Sequence, residues 1–124
     1  RDDSAPSRLF LFHQGTLIRV FSTAGLCDKL FEFRRGTDTA DIHSIAFSFD
    51  SSFLCVSSDK GTVHLYGIRD PKLNRMVSIP HALNEAFGDL CNFKVAIEWP
   101  CICAFSGPSH VIAASFDGTF HKHI

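Results

Sequence analysis

The densest chemistry in this sequence is a four-residue run, Phe33-Arg34-Arg35-Gly36, which closes a strand-like stretch, Lys29-Leu30-Phe31-Glu32. Arginine's planar fork donates two parallel, charge-assisted hydrogen bonds to a phosphate, a geometry that a lysine point charge does not match. Side chains alternate along an extended backbone, so Arg34 and Arg35 do not clamp one ligand together; each serves its own side of the strand. Gly36 then lets the backbone turn sharply or lets a ligand approach closely. A second polar set follows in Ser58-Asp59-Lys60-Gly61-Thr62-Val63-His64, where Thr62 and His64, two apart on a strand, share a face. An Arg-Arg-Gly at a strand end is usually a solvated rim, so the elements around it must decide its meaning.

Those elements repeat. Gly15-Thr16-Leu17-Ile18-Arg19-Val20-Phe21, Gly61-Thr62-Val63-His64-Leu65-Tyr66 and Gly118-Thr119-Phe120-His121-Lys122-His123 are three copies of one phrase. The second is preceded by Ser44-Ile45-Ala46-Phe47-Ser48 and Phe53-Leu54-Cys55-Val56-Ser57, the third by Cys101-Ile102-Cys103-Ala104-Phe105 and Val111-Ile112-Ala113-Ala114-Ser115. Each full copy reads strand, short turn, strand, Asp/Gly turn, strand, because glycine takes the positive-φ turn position at little cost. The copies begin 46 and then 57 residues apart. The first spacing is close to the roughly 40–45 residues of a WD-type propeller blade, and the second is that plus an insertion. The predicted fold is all-β: about two and a half blades of a WD-type β-propeller, whose blades need neighbours to cover both faces.

Strands are predicted near 17–21, 28–33, 43–49, 52–57, 62–67, 93–98, 101–105, 110–115 and 119–123, after a loose tail over residues 1–8. The insertion lies between Arg69 and Pro100. Its polar start contains Pro71, and Met76, Ile79, Leu83, Phe87 and Leu90 then recur at spacings of three and four, which predicts a short amphipathic helix.

Composition narrows the function classes. Twelve Lys and Arg against 13 Asp and Glu leave a net charge of −1, which disfavours general nucleic-acid binding. Any bound anion must be held by a local cluster. No run of about 18 apolar residues suggests a membrane-crossing helix, and Arg1-Asp2-Asp3-Ser4 does not open a signal peptide. Five cysteines are an odd number; Cys55, Cys101 and Cys103 sit in apolar strand runs and read as reduced core thiols of a cytosolic protein. His121 and His123 share a strand face and, with His110 and Cys103, could only weakly suggest a zinc site, since no carboxylate or CxxC framework accompanies them. No hydrolase motif, P-loop or dinucleotide fingerprint occurs, so neither enzyme activity, cofactor nor metal is expected.

The Arg-Arg-Gly between two Gly-Thr strand phrases, with Ser57-Ser58-Asp59-Lys60-Gly61-Thr62-Val63-His64, Cys101-Ile102-Cys103-Ala104-Phe105 and Asp117-Gly118-Thr119-Phe120-His121-Lys122 in order, resembles the PROPPIN (WIPI) family. The resemblance runs from about Gly15 to His123. It implies a seven-bladed propeller that binds phosphatidylinositol 3-phosphate and the 3,5-bisphosphate in two rim pockets and acts as an autophagy scaffold. Gly15 to Gly36 would end blade five, Ile42 to about Ile97 would form blade six with the insertion 69–100 before its last strand, and Cys101 to Ile124 would open blade seven, within a unit spanning 9–124. Carried over, Arg34 serves a first pocket with Thr16 and Arg19. Arg35 serves a second with Ser58, Thr62 and His64, beside Gly36. The insertion corresponds to the family's membrane-dipping loop, with Met76, Val77, Ile79, Leu83 and Phe87 as the inserting residues. Two features depart from the family. Phe12 stands four residues before Thr16, where a small hydroxyl residue is usual, and Leu9-Phe10-Leu11-Phe12 does not read as the expected strand; either the first pocket is altered or the chain leaves the family pattern before Gly15. The resemblance further implies a cytoplasmic protein, peripheral on phagophore or endosomal membranes, that meets autophagy proteins. The alternative is a generic WD-repeat piece used only for protein contact, which has no need of Arg34, Arg35 and His64.

Overall fold

The repeated phrase folds as antiparallel β-structure. The computed structural model describes residues 8–12, 17–23, 29–36, 40–74, 76–78, 85–95 and 99–124. The first group of strands is β1 (Arg8–Phe12), β2 (Leu17–Ser22) and β3 (Lys29–Arg34). The second is β4 (Ile42–Phe47), β5 (Phe53–Ser58) and β6 (Thr62–Gly67). A single 3-10 turn at Pro71–Leu73 leads to β7 (Met76–Ser78) and β8 (Glu85–Phe87), after which β9 (Cys91–Lys94) returns. The last group is β10 (Cys101–Gly107), β11 (His110–Ser115) and β12 (Phe120–His123). They form three sheets of order β1-β2-β3-β8-β7, β4-β5-β6-β9 and β10-β11-β12. Each meander is antiparallel, whereas β8 joins β3 in parallel through Phe33 and Phe87.

The turns follow the chemistry expected of them. Gly61 (φ 72°) and Gly118 (φ 94°) hold the left-handed conformation at the tips between β5 and β6 and between β11 and β12. Asp117 Oδ1 accepts from Thr119 N at 2.9 Å and from Thr119 Oγ1 at 2.6 Å, so the side chain closes the second of these turns.

Packing between the sheets explains why the middle sheet reads as nearly continuous apolar sequence. Its even-numbered residues Leu54, Val56, Tyr66 and Ile68 meet Ile18, Val20 and Phe33 of the first sheet. Its odd-numbered Cys55, Val63, Phe93 and Val95 meet Cys101, Cys103, Val111 and Ala113 of the third. A strand covered on both faces loses the polar-out alternation of a half-solvated one. The second seam also carries buried polar ties: Ser57 Oγ donates to Cys101 O at 2.7 Å, and Cys103 N donates to Ser44 Oγ at 3.2 Å. Cys101 and Cys103 are thus core thiols on one face, as their spacing suggests. The Cys55 thiol, hydrogen-bonded to Cys103 and buried, is pushed well above its ordinary range and stays neutral.

Two expectations fail. The insertion forms no amphipathic helix at its described positions; Met76–Ser78 and Glu85–Phe87 pair antiparallel as a hairpin on the first sheet. Spacings of three and four measure helical periodicity only where nothing interrupts the backbone, and Pro80 removes a donor from the middle of that pattern. Leu9–Phe12, which did not read as a strand, lies in β1 and pairs with β2 from Arg8↔Ser22 to Phe12↔Ile18. Four consecutive apolar residues show no alternation, so period two gave no signal there. The returning strand begins at Cys91, two residues before its expected start.

Candidate functional site

The two arginines separate as the period of the strand requires. Phe33 points into the seam with the second sheet, its ring 5.0 Å from that of Tyr66. Arg35, two residues on, is likewise buried, while Arg34 pairs across the ladder with Leu17 and stays half-buried. Arg34 Nε donates to Gly36 O at 3.2 Å, which folds that guanidinium back along its own strand end. Gly36 does not occupy the left-handed region, and a Cβ there would meet nothing within 4 Å. The backbone conformation therefore does not demand glycine, and of the two uses expected of it the open space around it suits the close approach of an incoming group.

On Arg34's side, Arg19 stands across from Glu32 and donates through Nε to Glu32 Oε1 at 2.8 Å. Arg19 and Arg34 thus share a face, but a carboxylate already engages Arg19. Thr16, the third residue of the expected first pocket, lies outside the described residues.

The other set comes together more closely. Leu54 and Val56 turn toward the first sheet, so Ser58, next in that alternation, shares their side. Its hydroxyl caps the turn by accepting from Lys60 N at 3.3 Å. On β6, Thr62, His64 and Tyr66 alternate toward the same seam, with His64 opposite Val56 across the ladder. Arg35, Ser58, Thr62 and His64 therefore line one seam between two sheets, three of them buried and Thr62 half-buried.

The structure adds residues that sequence spacing missed. Asp89 lies in the crossing from β8 to β9 and is fully buried; its Oδ2 sits 2.6 Å from His64 Nδ1. Asn92 Nδ2 donates to the same oxygen at 2.9 Å. Across β6 and β9, Asn92 pairs with His64 and the exposed Lys94 with Thr62, so Lys94 adds a cation on the seam's side. The only signal for Asp89 was an acidic residue after a glycine at the end of an apolar stretch, which is indistinguishable from a loop. The combination offers a buried and an exposed cation and two hydroxyls, with a histidine tied to a buried carboxylate: a set of donors able to meet a phosphate-like anion.

Of the insertion residues, Met76 and Val77 belong to β7 and Phe87 to β8, while Ile79 and Leu83 lie outside the described residues. Among the described residues no three His, Cys, Asp or Glu side chains gather as a metal site. His123 instead stacks on Phe93 at 4.4 Å, and Cys103 is turned into the core. No described helix is long and apolar enough to cross a membrane.

Three consecutive sheets stacked face to face, each built on a three-stranded antiparallel meander, define part of a β-propeller. The chain belongs to the PROPPIN family, whose model matches residues 4–91. That match begins well before Gly15, so the chain does not leave the family pattern there. Ectopic P granules protein 6 of Caenorhabditis elegans is 35% identical over 118 residues, 89% of this chain and 29% of that protein. Autophagy-related protein 18 of Eremothecium gossypii is 47% identical over 109 residues, 88% of this chain and 20% of that protein. The solved structure of Kluyveromyces lactis Hsv2p superposes with a TM-score of 0.65 at 32% identity, covering 84% of this chain and 33% of that one. The chain thus spans a third or less of the length of these relatives.

Proposed function

We propose that this chain is the phosphoinositide-binding portion of a membrane-recruited autophagy scaffold. In this reading the first sheet ends blade five, the second is blade six with its insertion, and the third opens blade seven. It binds phosphatidylinositol 3-phosphate and the 3,5-bisphosphate and catalyses nothing. Arg35, Ser58, Thr62 and His64, beside Gly36, hold one phosphate; Arg34 with Arg19 and Thr16 forms a second, weaker pocket, since Glu32 competes for Arg19. The segment between β7 and β8 enters the bilayer interface, so that several modest anchors act together. The protein works in the cytoplasm, peripherally on phagophore or endosomal membranes, with other autophagy proteins.

The observation that supports this reading best is the convergence on one seam of Arg35, just past the end of β3, with Ser58 of β5 and Thr62 and His64 of β6, at least 23 residues further along the chain. A generic protein-contact propeller needs no such set. Flotation with phosphatidylcholine vesicles containing phosphatidylinositol 3-phosphate tests it. Arg35→Ala removes at least one charged hydrogen bond, about 1.5–3 kcal/mol or roughly ten- to 150-fold in affinity. Arg35→Lys restores only part, for want of the bidentate fork. With a net charge of −1, general attraction to anionic lipid is weak, so phosphatidylserine vesicles bind poorly. Normal binding by the Arg34→Ala, Arg35→Ala double variant would replace the lipid reading with the protein-contact one.

A further inference from the structure

The His64–Asp89 pair is more than a satisfied core contact. Asp89 Oδ2 already accepts from Asn92 Nδ2, and an ionised carboxylate only accepts, so with Asp89 ionised the 2.6 Å contact assigns the proton to His64 Nδ1. That fixes the ring and leaves Nε2 directed away from Asp89. A neutral imidazole so held would present a lone pair there, which repels phosphate; an imidazolium presents a second N–H. Burial of the ring opposes its charging, whereas the carboxylate at hydrogen-bond distance favours the imidazolium by stabilising the charged form.

Asp89 is also held firmly. On one side, β8 is paired to β3 at Phe33↔Phe87. On the other, Leu90 N donates to Leu65 O at 2.7 Å. Asn92 Nδ2 supplies a further donor to Oδ2. The crossing thus carries the carboxylate from β8 of the first sheet to β9 at the edge of the second, beside the histidine. Other groups that bear on His64's charge are Arg35 from the end of β3, which opposes protonation, Lys94 on β9 opposite Thr62, which does the same more weakly from its exposed position, and Tyr66 on its own strand. Asp89 is the described carboxylate in hydrogen-bond contact with the ring.

We propose that Asp89 is a positioning residue for phosphate: it orients His64 and keeps it an imidazolium, so that Nε2–H donates to a phosphate monoester beside Arg35 at neutral pH. The proposal rests on the phosphate-pocket reading above and deepens it. Arg35 then needs no help from bulk acidity to recruit His64, and headgroup capture persists at pH values where a free histidine is neutral.

The test uses the full chain, its Asp89→Asn variant and soluble inositol 1,3-bisphosphate, with calorimetry at pH 7.5 and pH 5.5 and a nitrogen-15 NMR titration of His64. The wild-type ring titrates above the ordinary histidine value of about 6.5, and the variant titrates lower. At pH 7.5 the variant binds about five- to tenfold more weakly than wild type, because most of its His64 is neutral; at pH 5.5 the two agree within about twofold, because both rings are charged. Comparing variant with wild type at each pH cancels the headgroup's own titration near pH 6. Equal losses at both pH values, or no loss at either, overturn the assignment while leaving the pocket intact. Should Asp89→Asn fail to fold, the wild-type titration decides alone, and a midpoint at or below about 6.5 overturns the proposal. A wild-type chain that binds no headgroup at either pH sinks the pocket reading instead, a result distinguishable from either outcome above.

Discussion

Phe33 is the residue through which the fold and the site most depend on one another, and Phe33→Ala measures that dependence. Its side chain is fully buried in the seam between the first two sheets. The ring lies 5.0 Å from Tyr66, tilted by 37°, and 6.0 Å from Phe31 at 25°, with Ile18 opposite across the ladder. Truncation forfeits the transfer free energy of the ring and leaves a cavity that four strands cannot close without breaking their ladders; such changes cost about 3–5 kcal/mol. A domain's whole net stability is about 5–15 kcal/mol, so the loss is a large share of it. At roughly 4 °C per kcal/mol for a chain of this size, the melting midpoint falls by about 12–20 °C. Urea unfolding followed by far-ultraviolet circular dichroism gives the free energy. Ile102→Ala, which truncates a side chain 54% exposed on the outer face of the third sheet, serves as the control and stays within about 0.5 kcal/mol. A double-mutant cycle with Tyr66→Leu returns a coupling of about 0.5–1.5 kcal/mol for the ring pair. If Phe33→Ala costs no more than the control, the two sheets do not share a core, and the placement of Arg35 beside β6 loses its foundation.

Ser57→Ala removes the 2.7 Å donor to Cys101 O and leaves that buried carbonyl without it, a loss of about 1–3 kcal/mol in the same urea assay. Gly118→Ala puts a Cβ at φ 94°, where nothing crowds it, so the cost comes from backbone conformation alone, about 1–2 kcal/mol, and the β-branched Gly118→Val costs more. Ile79→Asp and Leu83→Asp, in the segment joining β7 and β8, weaken binding to phosphatidylinositol 3-phosphate vesicles but leave soluble headgroup affinity unchanged, because a charge does not enter the acyl boundary cheaply. Equal loss of vesicle and headgroup binding would assign that segment to the folded core instead.

Much of the fold was legible in the residues. Most expected strands lie within two residues of their observed bounds, because Asp/Gly turns punctuate runs whose β-branched and apolar content suits a pleated, packed surface. Where the signal failed, it failed for identifiable reasons. Leu9-Phe10-Leu11-Phe12 offers no alternation, and the Met76 to Leu90 spacing imitates a helix across Pro80. At the site, adjacency alone was enough to send Arg34 and Arg35 to opposite sides, and a separation of two was enough to put Thr62 with His64.

What the sequence determined by itself was therefore local: where strands run, where they turn, and which side chains share a face, all consequences of a two-residue period and of glycine's freedom at positive φ. What tertiary structure alone decided was which faces meet. The parallel pairing of Phe87 with Phe33 and the crossing that follows carry Asp89 back to His64, 25 residues earlier in the chain. The Arg19–Glu32 pair depends on the register of two strands. No local period encodes these contacts, because they follow from how sheets stack and which ladder a returning strand joins, and both are settled by burial summed over the whole molecule.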